Sequence, residues 1–106
     1  MSTGESPHAL HALYEAIASL RDADECRRFL EDMCTENEIK SMKRRFDVAV
    51  LLMQNKVYLD ILNQTGASTA IISRVRRNIL NNSEGGAMRD VIIRQGLLDK
   101  KYPTEE

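Results

Sequence analysis

A run of hydroxyl-bearing and cationic side chains lies between Ser68 and Arg77. On one surface, such side chains can donate hydrogen bonds to phosphate oxygens and to the edges of bases. The surface comprises Ser68, Thr69, Ala70, Ser73, Arg74, Arg76 and Arg77. The arginines would contact phosphates and one guanine, and the methyl groups of Thr69 and Ala70 would pack on a thymine methyl. The pattern therefore indicates binding to double-stranded DNA.

Two short helices joined by a tight turn would position this surface. The segment predicts a first helix over 58–64, a turn over 65–67 and a second helix from Ser68 to about residue 80. Gly66 is the ninth residue of the motif, where the backbone needs a positive φ that glycine adopts without steric strain. The apolar residues that would hold the two helices together are Ile61, Ala67, Ile72 and Val75. In DNA-binding motifs of this kind, the second helix enters the major groove.

Length and composition favour a single helix-rich domain over residues 1–106, with flexible ends at 1–5 and 99–106. The chain is 42% hydrophobic and 29% charged, with two prolines, five glycines and no tryptophan. No apolar run reaches the about 18 residues that cross a membrane, and the N-terminus does not resemble a signal peptide. Cys26 and Cys34 are too far apart along one predicted helix for a disulfide. Both are therefore expected to be small core residues in a reducing cytoplasm.

Charge is distributed unevenly, although the net charge is only −1. Residues 1–39 carry nine acidic and three basic side chains, a net of −6, whereas residues 40–82 carry two acidic and eight basic ones, a net of +6. The positive segment contains the predicted DNA-binding surface, and contact with phosphates requires such a charge. Chance segregation of solvated charged residues is the alternative explanation.

Four further helices are predicted from the spacing of apolar residues. They cover residues 7–22, 25–34, 36–54 and 87–98. Ser6 is the predicted N-cap of the first and Asp24 that of the second, and Thr35 with Glu38 forms a capping box before the third. The first helix has an apolar face that is expected to be buried, formed by Leu10, Leu13, Tyr14, Ile17 and Leu20.

The motif resembles the Trp repressor superfamily, most closely its Trp-repressor-related branch (YerC/YecD type). The resemblance rests on a Thr-capped long helix with an arginine in its third turn, and on the pattern Tyr-x-x-Ile-x-x-x-Thr-Gly-Ala-Ser-Thr-Ala-x-Ile-Ser-Arg-Val. That pattern runs here from Tyr58 to Val75, and the similarity covers about residues 8–98. It implies an all-α, six-helix fold in an intertwined homodimer whose first helices wrap around the partner. It further implies a cytoplasmic, Trp repressor-like transcriptional regulator, with recognition helices about 34 Å apart on a palindromic site. Both repression and activation of transcription stay open at this point.

The resemblance also implies a site for a small-molecule effector. By motif position, the residues of this site are Thr35, Arg45, Arg74 and Asn78. Two arginines suit a carboxylate, because their planar donors match its oxygens. Val75 stands where the tryptophan-binding repressor has a glycine, and valine would crowd a flat indole, so tryptophan is not the expected ligand. No other effector is identified. The alternative is that one arginine forms an intramolecular ion pair and the other binds a phosphate.

A second interpretation is a helical protein-interaction module that keeps the shape of the motif without binding DNA. Leu62 and Ile71 would then belong to an apolar contact surface. An enzyme is not expected, because the sequence has no convergent Ser/His/Asp arrangement and no phosphate-binding glycine loop. His8 and His11 are three residues apart but lack a matching carboxylate or thiol, so no metal site or cofactor is predicted.

Overall fold

The computed structural model describes residues 7–80 and 86–104, which form six α-helices and no β-strand. The helices are α1 (Pro7–Ala18), α2 (Ala23–Met33), α3 (Glu36–Met53), α4 (Tyr58–Thr65), α5 (Thr69–Leu80) and α6 (Ala87–Arg94). The predicted all-α class and order of helices are confirmed. Among the described residues, no helix is both long and apolar enough to span a lipid bilayer.

The chain divides into two compact units, Met1–Ile39 and Lys40–Glu106. The first unit contains α1, α2 and the first turn of α3. The second contains the rest of α3 and the helices that follow it. A single domain over 1–106 therefore stays a prediction.

Side-chain caps begin α2 and α3. Asp22 caps α2, since its carboxylate accepts a hydrogen bond from Glu25 N at 2.8 Å. The prediction that Asp24 is the cap was wrong: the extended backbone of Asp22 (φ −154°, ψ 176°) begins the helix two residues earlier. The capping box before α3 is confirmed. Glu38 N donates to Thr35 Oγ1 at 3.1 Å, and Thr35 N donates to Glu38 Oε1 at 2.7 Å.

The first unit exposes apolar surface that the sequence predicts to be buried. On α1, the exposed fractions are 40% for Leu10, 55% for Tyr14 and 46% for Ile17. The helix ends at Ala18, about one turn earlier than predicted, and its predicted cap Ser6 lies outside the described residues. Cys26 and Cys34, which are predicted to be core residues, are free and only half-buried, and α2 has no fully buried residue. Among the described residues, Leu10, Tyr14 and Ile17 therefore stay exposed, whereas the sequence predicts a buried face on α1.

The core of the second unit forms around the C-terminal half of α3. The five consecutive residues Asp47–Leu51 are all buried, so this part of the helix is surrounded on every side. Residues of the later elements complete the core, namely Ile61, Ala67, Ile72, Val75, Ile79 and Ile92. Burial of each Val, Leu or Ile side chain contributes about 1.5–3 kcal/mol. The core thus holds α4 and α5 against α3.

The segment after α6 is held against α3, whereas the sequence predicts a flexible end over residues 99–106. Gln54 Nε2 donates to Leu97 O at 2.7 Å and to Lys100 O at 2.8 Å. The α6 helix itself ends at Arg94 rather than residue 98, and the left-handed Gly96 (φ 69°) follows it. Residues 105 and 106 lie outside the described part of the chain.

An ion pair on α3, between Lys43 and the buried Asp47, makes the second connection to this segment. Asp47 is 2% exposed, and its Oδ2 pairs with Lys43 Nζ at 2.7 Å. The same ammonium group donates to Thr104 O at 2.9 Å. The rings of Phe46 and Tyr102 meet edge to face, with 6.3 Å between their centroids. Burial and the nearby Asp47 carboxylate raise the pKa of the Tyr102 hydroxyl.

Candidate nucleic-acid interface

The α4 helix, the turn and α5 form the predicted helix-turn-helix, with each boundary within one residue of its predicted position. Gly66 adopts the left-handed conformation expected of it (φ 69°, ψ 11°), and its N–H donates to Leu62 O at 2.9 Å. A Cβ atom at Gly66 would meet no atom within 4 Å. The requirement for glycine therefore comes from the backbone conformation and not from lack of space.

Thr65 connects the turn to its surroundings. Its hydroxyl donates to Ile61 O at 2.7 Å and accepts from Ala67 N at 3.1 Å. Its carbonyl oxygen accepts a hydrogen bond from Arg44 Nε, on α3, at 3.3 Å. The sequence did not indicate this last contact, because the two residues are 21 positions apart.

The apolar residues predicted to join the two helices are all buried. They are Ile61, Ala67, Ile72 and Val75, none more than 3% exposed. Leu62 and Ile71 are half-buried and pack against the same core. The apolar surface required by the protein-interaction alternative is thus partly used inside the chain.

The α5 helix has two opposite faces. Ile72, Val75 and Ile79 are buried. The exposed residues Ala70, Ser73, Arg74 and Arg77 have the spacing i, i+3, i+4, i+7, which places them on one face of a helix. We call these four residues the recognition face. They lie on the side of α5 turned away from the core.

The remaining predicted contact residues are exposed but lie beside the recognition face. Ser68 caps α5, because its Oγ accepts a hydrogen bond from Ile71 N at 3.2 Å. Since the oxygen accepts this bond, the hydroxyl proton stays available for another acceptor. Thr69 is the first residue of α5. Arg76 lies on the flank of the helix, where it lines a groove.

This groove has a volume of about 560 Å³. Ile61, Ile72 and Ile79 contribute to its apolar surface, and Lys56 and Arg89 are among its basic residues. A second groove, of about 360 Å³, includes residues of α3, α4 and the C-terminal segment. Neither groove is lined by Arg45 or Arg74.

The arginines of the recognition face have no intramolecular partner within residues 7–80 and 86–104. Neither Arg74 nor Arg77 forms an ion pair or a hydrogen bond there. Moreover, α5 contains no acidic residue. Both guanidinium groups can therefore be directed at an external anion.

The predicted effector residues are distributed over both units. Thr35 belongs to the first unit, and its hydroxyl already accepts a hydrogen bond in the capping box. Arg45, Arg74 and Asn78 belong to the second unit and are exposed. In the described part of the chain, neither arginine forms the ion pair that the alternative role assumed. Val75 is 3% exposed and occupies the core. The effector site stays a prediction.

The described residues contain no group of three or more His, Cys, Asp or Glu side chains that could hold a metal ion. His11 Nε2 lies 3.1 Å from Glu15 Oε2, so the prediction that no carboxylate lies near the histidines was wrong. The pair is exposed on α1.

Comparison with known proteins places these features in a family. The sequence model of the Trp repressor protein family matches residues 8–101. The uncharacterized protein YerC of Bacillus subtilis (strain 168) is 50% identical over 68 residues, which are 64% of this chain and 65% of YerC, slightly less than two thirds of its length.

Two crystal structures have a similar fold. A TrpR-like protein from Eubacterium eligens shares 46% identity with a TM-score of 0.81, over 90% of this chain and 96% of that one. A candidate Trp repressor from Staphylococcus aureus shares 37% identity with a TM-score of 0.79, over 87% and 90% of the two chains. The sequence match extends across all six helices, and so the chain belongs to the Trp repressor protein family.

Proposed function

We propose that this protein is a transcriptional regulator that recognises a specific sequence in double-stranded DNA with α5. The observation that carries the proposal is the recognition face. Arg74 and Arg77 are exposed and unpaired within the described residues, on a helix whose opposite side is buried. Guanidinium groups in this state can bind phosphates or the O6 and N7 atoms of guanine. Membership of the Trp repressor family supports the same function.

The proposed contacts follow from the position of each side chain. Arg74 and Arg77 supply the principal phosphate and guanine contacts. Ser68, Thr69 and Ser73 donate shorter hydrogen bonds to phosphates or bases, and the Thr69 methyl group and Ala70 pack on a thymine methyl. Arg76 makes a peripheral phosphate contact, because it lies on the flank of α5 beside the groove.

We further propose that the protein acts as a cytoplasmic homodimer of the repressor type. Exposed apolar side chains on α1, including Leu10, Tyr14 and Ile17, support a second copy as their cover. Two copies would present two α5 helices to a palindromic site with half-sites about 34 Å apart. Tryptophan is not proposed as an effector, because Val75 occupies the position of a glycine in the tryptophan-binding repressor. No other effector is assigned.

Selection of bound fragments from a random DNA pool tests this function. We expect enrichment of a palindrome whose half-sites are about one helical turn apart. Affinity for that site should fall steeply with salt concentration, because phosphate contacts release counterions. Sedimentation analysis of the protein–DNA complex should give two chains per site. Failure to enrich any sequence would contradict the proposal. Binding to a protein partner without salt-dependent DNA affinity would instead support the interaction module.

A further inference from the structure

Arg44 links α3 directly to the helix-turn-helix. Its Nε donates to the carbonyl oxygen of Thr65 at 3.3 Å. That distance lies slightly beyond the usual limit of about 3.2 Å for an N–H···O bond, but Arg44 is half-buried and its guanidinium group is charged. Thr65 is the last residue of α4, so its carbonyl has no partner within the helix. A cation at the C-terminal end of a helix is also favoured by the helix dipole.

The hydrogen bonds continue from Thr65 towards α5. The Thr65 hydroxyl accepts from Ala67 N, and the next residue, Ser68, caps α5. Arg44, Thr65 and Ala67 therefore join α3 to the start of the recognition helix through directional bonds. Aliphatic side chains of α5, among them Ile72 and Val75, also pack into the core. Hydrophobic contact is non-directional, so it allows small shifts that hydrogen bonds resist.

Three consecutive cations on α3 have different surroundings. Lys43 is occupied by Asp47 and the carbonyl of Thr104. Arg44 bonds the turn, and Arg45 is exposed without a hydrogen bond or ion pair among the described residues. Of these three cations, Arg44 is therefore the one with an observed hydrogen bond to the helix-turn-helix. A basic cluster in the sequence does not distinguish these roles.

We propose that Arg44 is a positioning residue for DNA recognition. It acts through Thr65 to hold α5 at the orientation relative to α3 that sequence-specific binding needs, and it does not contact DNA itself. This role rests on the proposed function above. Precise orientation affects contacts with base edges most, since a functional surface has to be held within about 0.5 Å of its productive geometry. Contacts with phosphates along any sequence tolerate more displacement.

Three substitutions on α3 test the proposal. Arg44→Met removes the donor and the charge but keeps an apolar stem, and Arg44→Lys keeps the charge and a donor. Lys40→Met removes one cation from the same helix at an exposed position without a hydrogen bond or ion pair in the described residues. Affinity is measured for the selected palindrome and for random DNA of the same length, over a series of salt concentrations. The thermal midpoint of unfolding is measured in parallel.

For Arg44→Met, we expect about a tenfold loss of affinity for the selected site, equivalent to 1.4 kcal/mol. Affinity for random DNA and the salt dependence should stay within error of wild type. Arg44→Lys should recover part of the specific affinity, and Lys40→Met should bind as wild type does. If Arg44→Met does not fold, Thr65→Val takes its place, because it removes the hydroxyl that accepts from Ala67 N. This variant should likewise lose affinity for the selected site and keep its affinity for random DNA.

Two results would overturn the positioning role. Equal losses for both DNAs, with a salt slope smaller by about 0.9, would make Arg44 a direct phosphate contact. Unchanged specificity well below the melting temperature, together with a lower thermal midpoint, would make Arg44 a stability residue only. If the wild-type protein selects no site, the proposed function fails and the positioning role fails with it. Wild-type selection with a neutral Arg44→Met variant overturns the positioning role alone.

Discussion

The arginines of α2 and α5 are used in opposite ways. On α2, Arg27 lies 2.8 Å from Asp24 and 2.9 Å from Glu31, carboxylates that are three and four residues away. On α5, Arg74 and Arg77 have no ionic partner within residues 7–80 and 86–104. Both helices expose their guanidinium groups to solvent. The two helices differ in the residues one turn away from the arginines, which include carboxylates on α2 but not on α5.

This difference shows that neighbouring side chains decide whether a surface arginine can bind an external anion. Exposed ion pairs such as that of Arg27 and Asp24 contribute only about 0–1 kcal/mol to the free energy of unfolding. An acid-free α5 therefore loses little stability but keeps its cations available for binding. The net charge of −1 conceals this arrangement.

Removal of the unpaired arginines should have the largest effect. The double variant Arg74→Ala/Arg77→Ala should lose about a hundredfold in affinity for the selected site, because each lost contact is worth about 1.4 kcal/mol. The slope of log affinity against log salt should shrink by about 0.9 for each of the two arginines that contacts a phosphate. Fluorescence anisotropy with labelled DNA measures both. The matched control is Arg27→Ala/Arg28→Ala on α2, which should bind as wild type does. Unchanged affinity of the α5 variant would refute the assignment of the recognition face.

Giving α5 a carboxylate like those of α2 should have the next largest effect. Ala70→Glu places an acid four residues before Arg74, the spacing between Asp24 and Arg28. The new pair should stabilise the helix by about 0.3–0.5 kcal/mol, while DNA affinity falls at least about tenfold. Urea unfolding and anisotropy measure the two effects. Ala70→Gln is the uncharged control, and a loss of affinity as large in that variant would exclude a charge effect.

The caps of the two helices offer a third comparison. Asp22 begins α2 with a charged cap, whereas Ser68 begins α5 with a neutral one. Ser68→Asp should keep the unfolding free energy within about 0.5 kcal/mol, because both residues are good caps. Its carboxylate would face phosphates, so affinity should fall about fivefold. Ser68→Ala should instead lower the unfolding free energy by about 1 kcal/mol. Undiminished binding by Ser68→Asp would place DNA away from the start of α5.

Removing the carboxylate that two arginines of α2 share should have the smallest effect, because Arg27 keeps Glu31 as a partner. Asp24→Asn removes the carboxylate that pairs with Arg27 and Arg28. The unfolding free energy should fall by less than about 1 kcal/mol, because these pairs are exposed. DNA affinity should stay within about twofold of wild type, since α2 is not a recognition element in the proposed function. A tenfold gain in affinity would show that α2 also faces DNA.

The sequence predicts the features that depend on local chemistry. The positive φ of Gly66, the capping box at Thr35 and the burial of Ile72 and Val75 each follow from residue type and helical spacing. The boundaries of α4 and α5 were accurate for the same reason. The exposed spacing of Arg74 and Arg77 could also be read from the helical period.

Features that depend on distant residues could not be predicted in this way. Arg44 and Thr65 are 21 positions apart, and Lys43 and Thr104 are 61 apart. Asp47 has the appearance of a surface residue in the sequence, yet it is buried because the C-terminal segment reaches α3. Helical periodicity contains no information about such partners. This also explains why the sequence predicts a flexible end where the structure has an attached segment.

The attachment of the C-terminal segment makes its local detachment from α3 measurable by proteolysis. Lys100 and Lys101 are exposed and lie between two anchors, the bond from Gln54 to the Lys100 carbonyl and the bond from Lys43 to the Thr104 carbonyl. Trypsin cleaves after lysine, but it requires several residues of extended, detached backbone. The rate of cleavage at these two lysines would therefore report how often the anchors release. Cleavage after Lys100 or Lys101 would also separate Thr104 from Lys43, so that short peptides beginning at residue 101 or 102 mark the event.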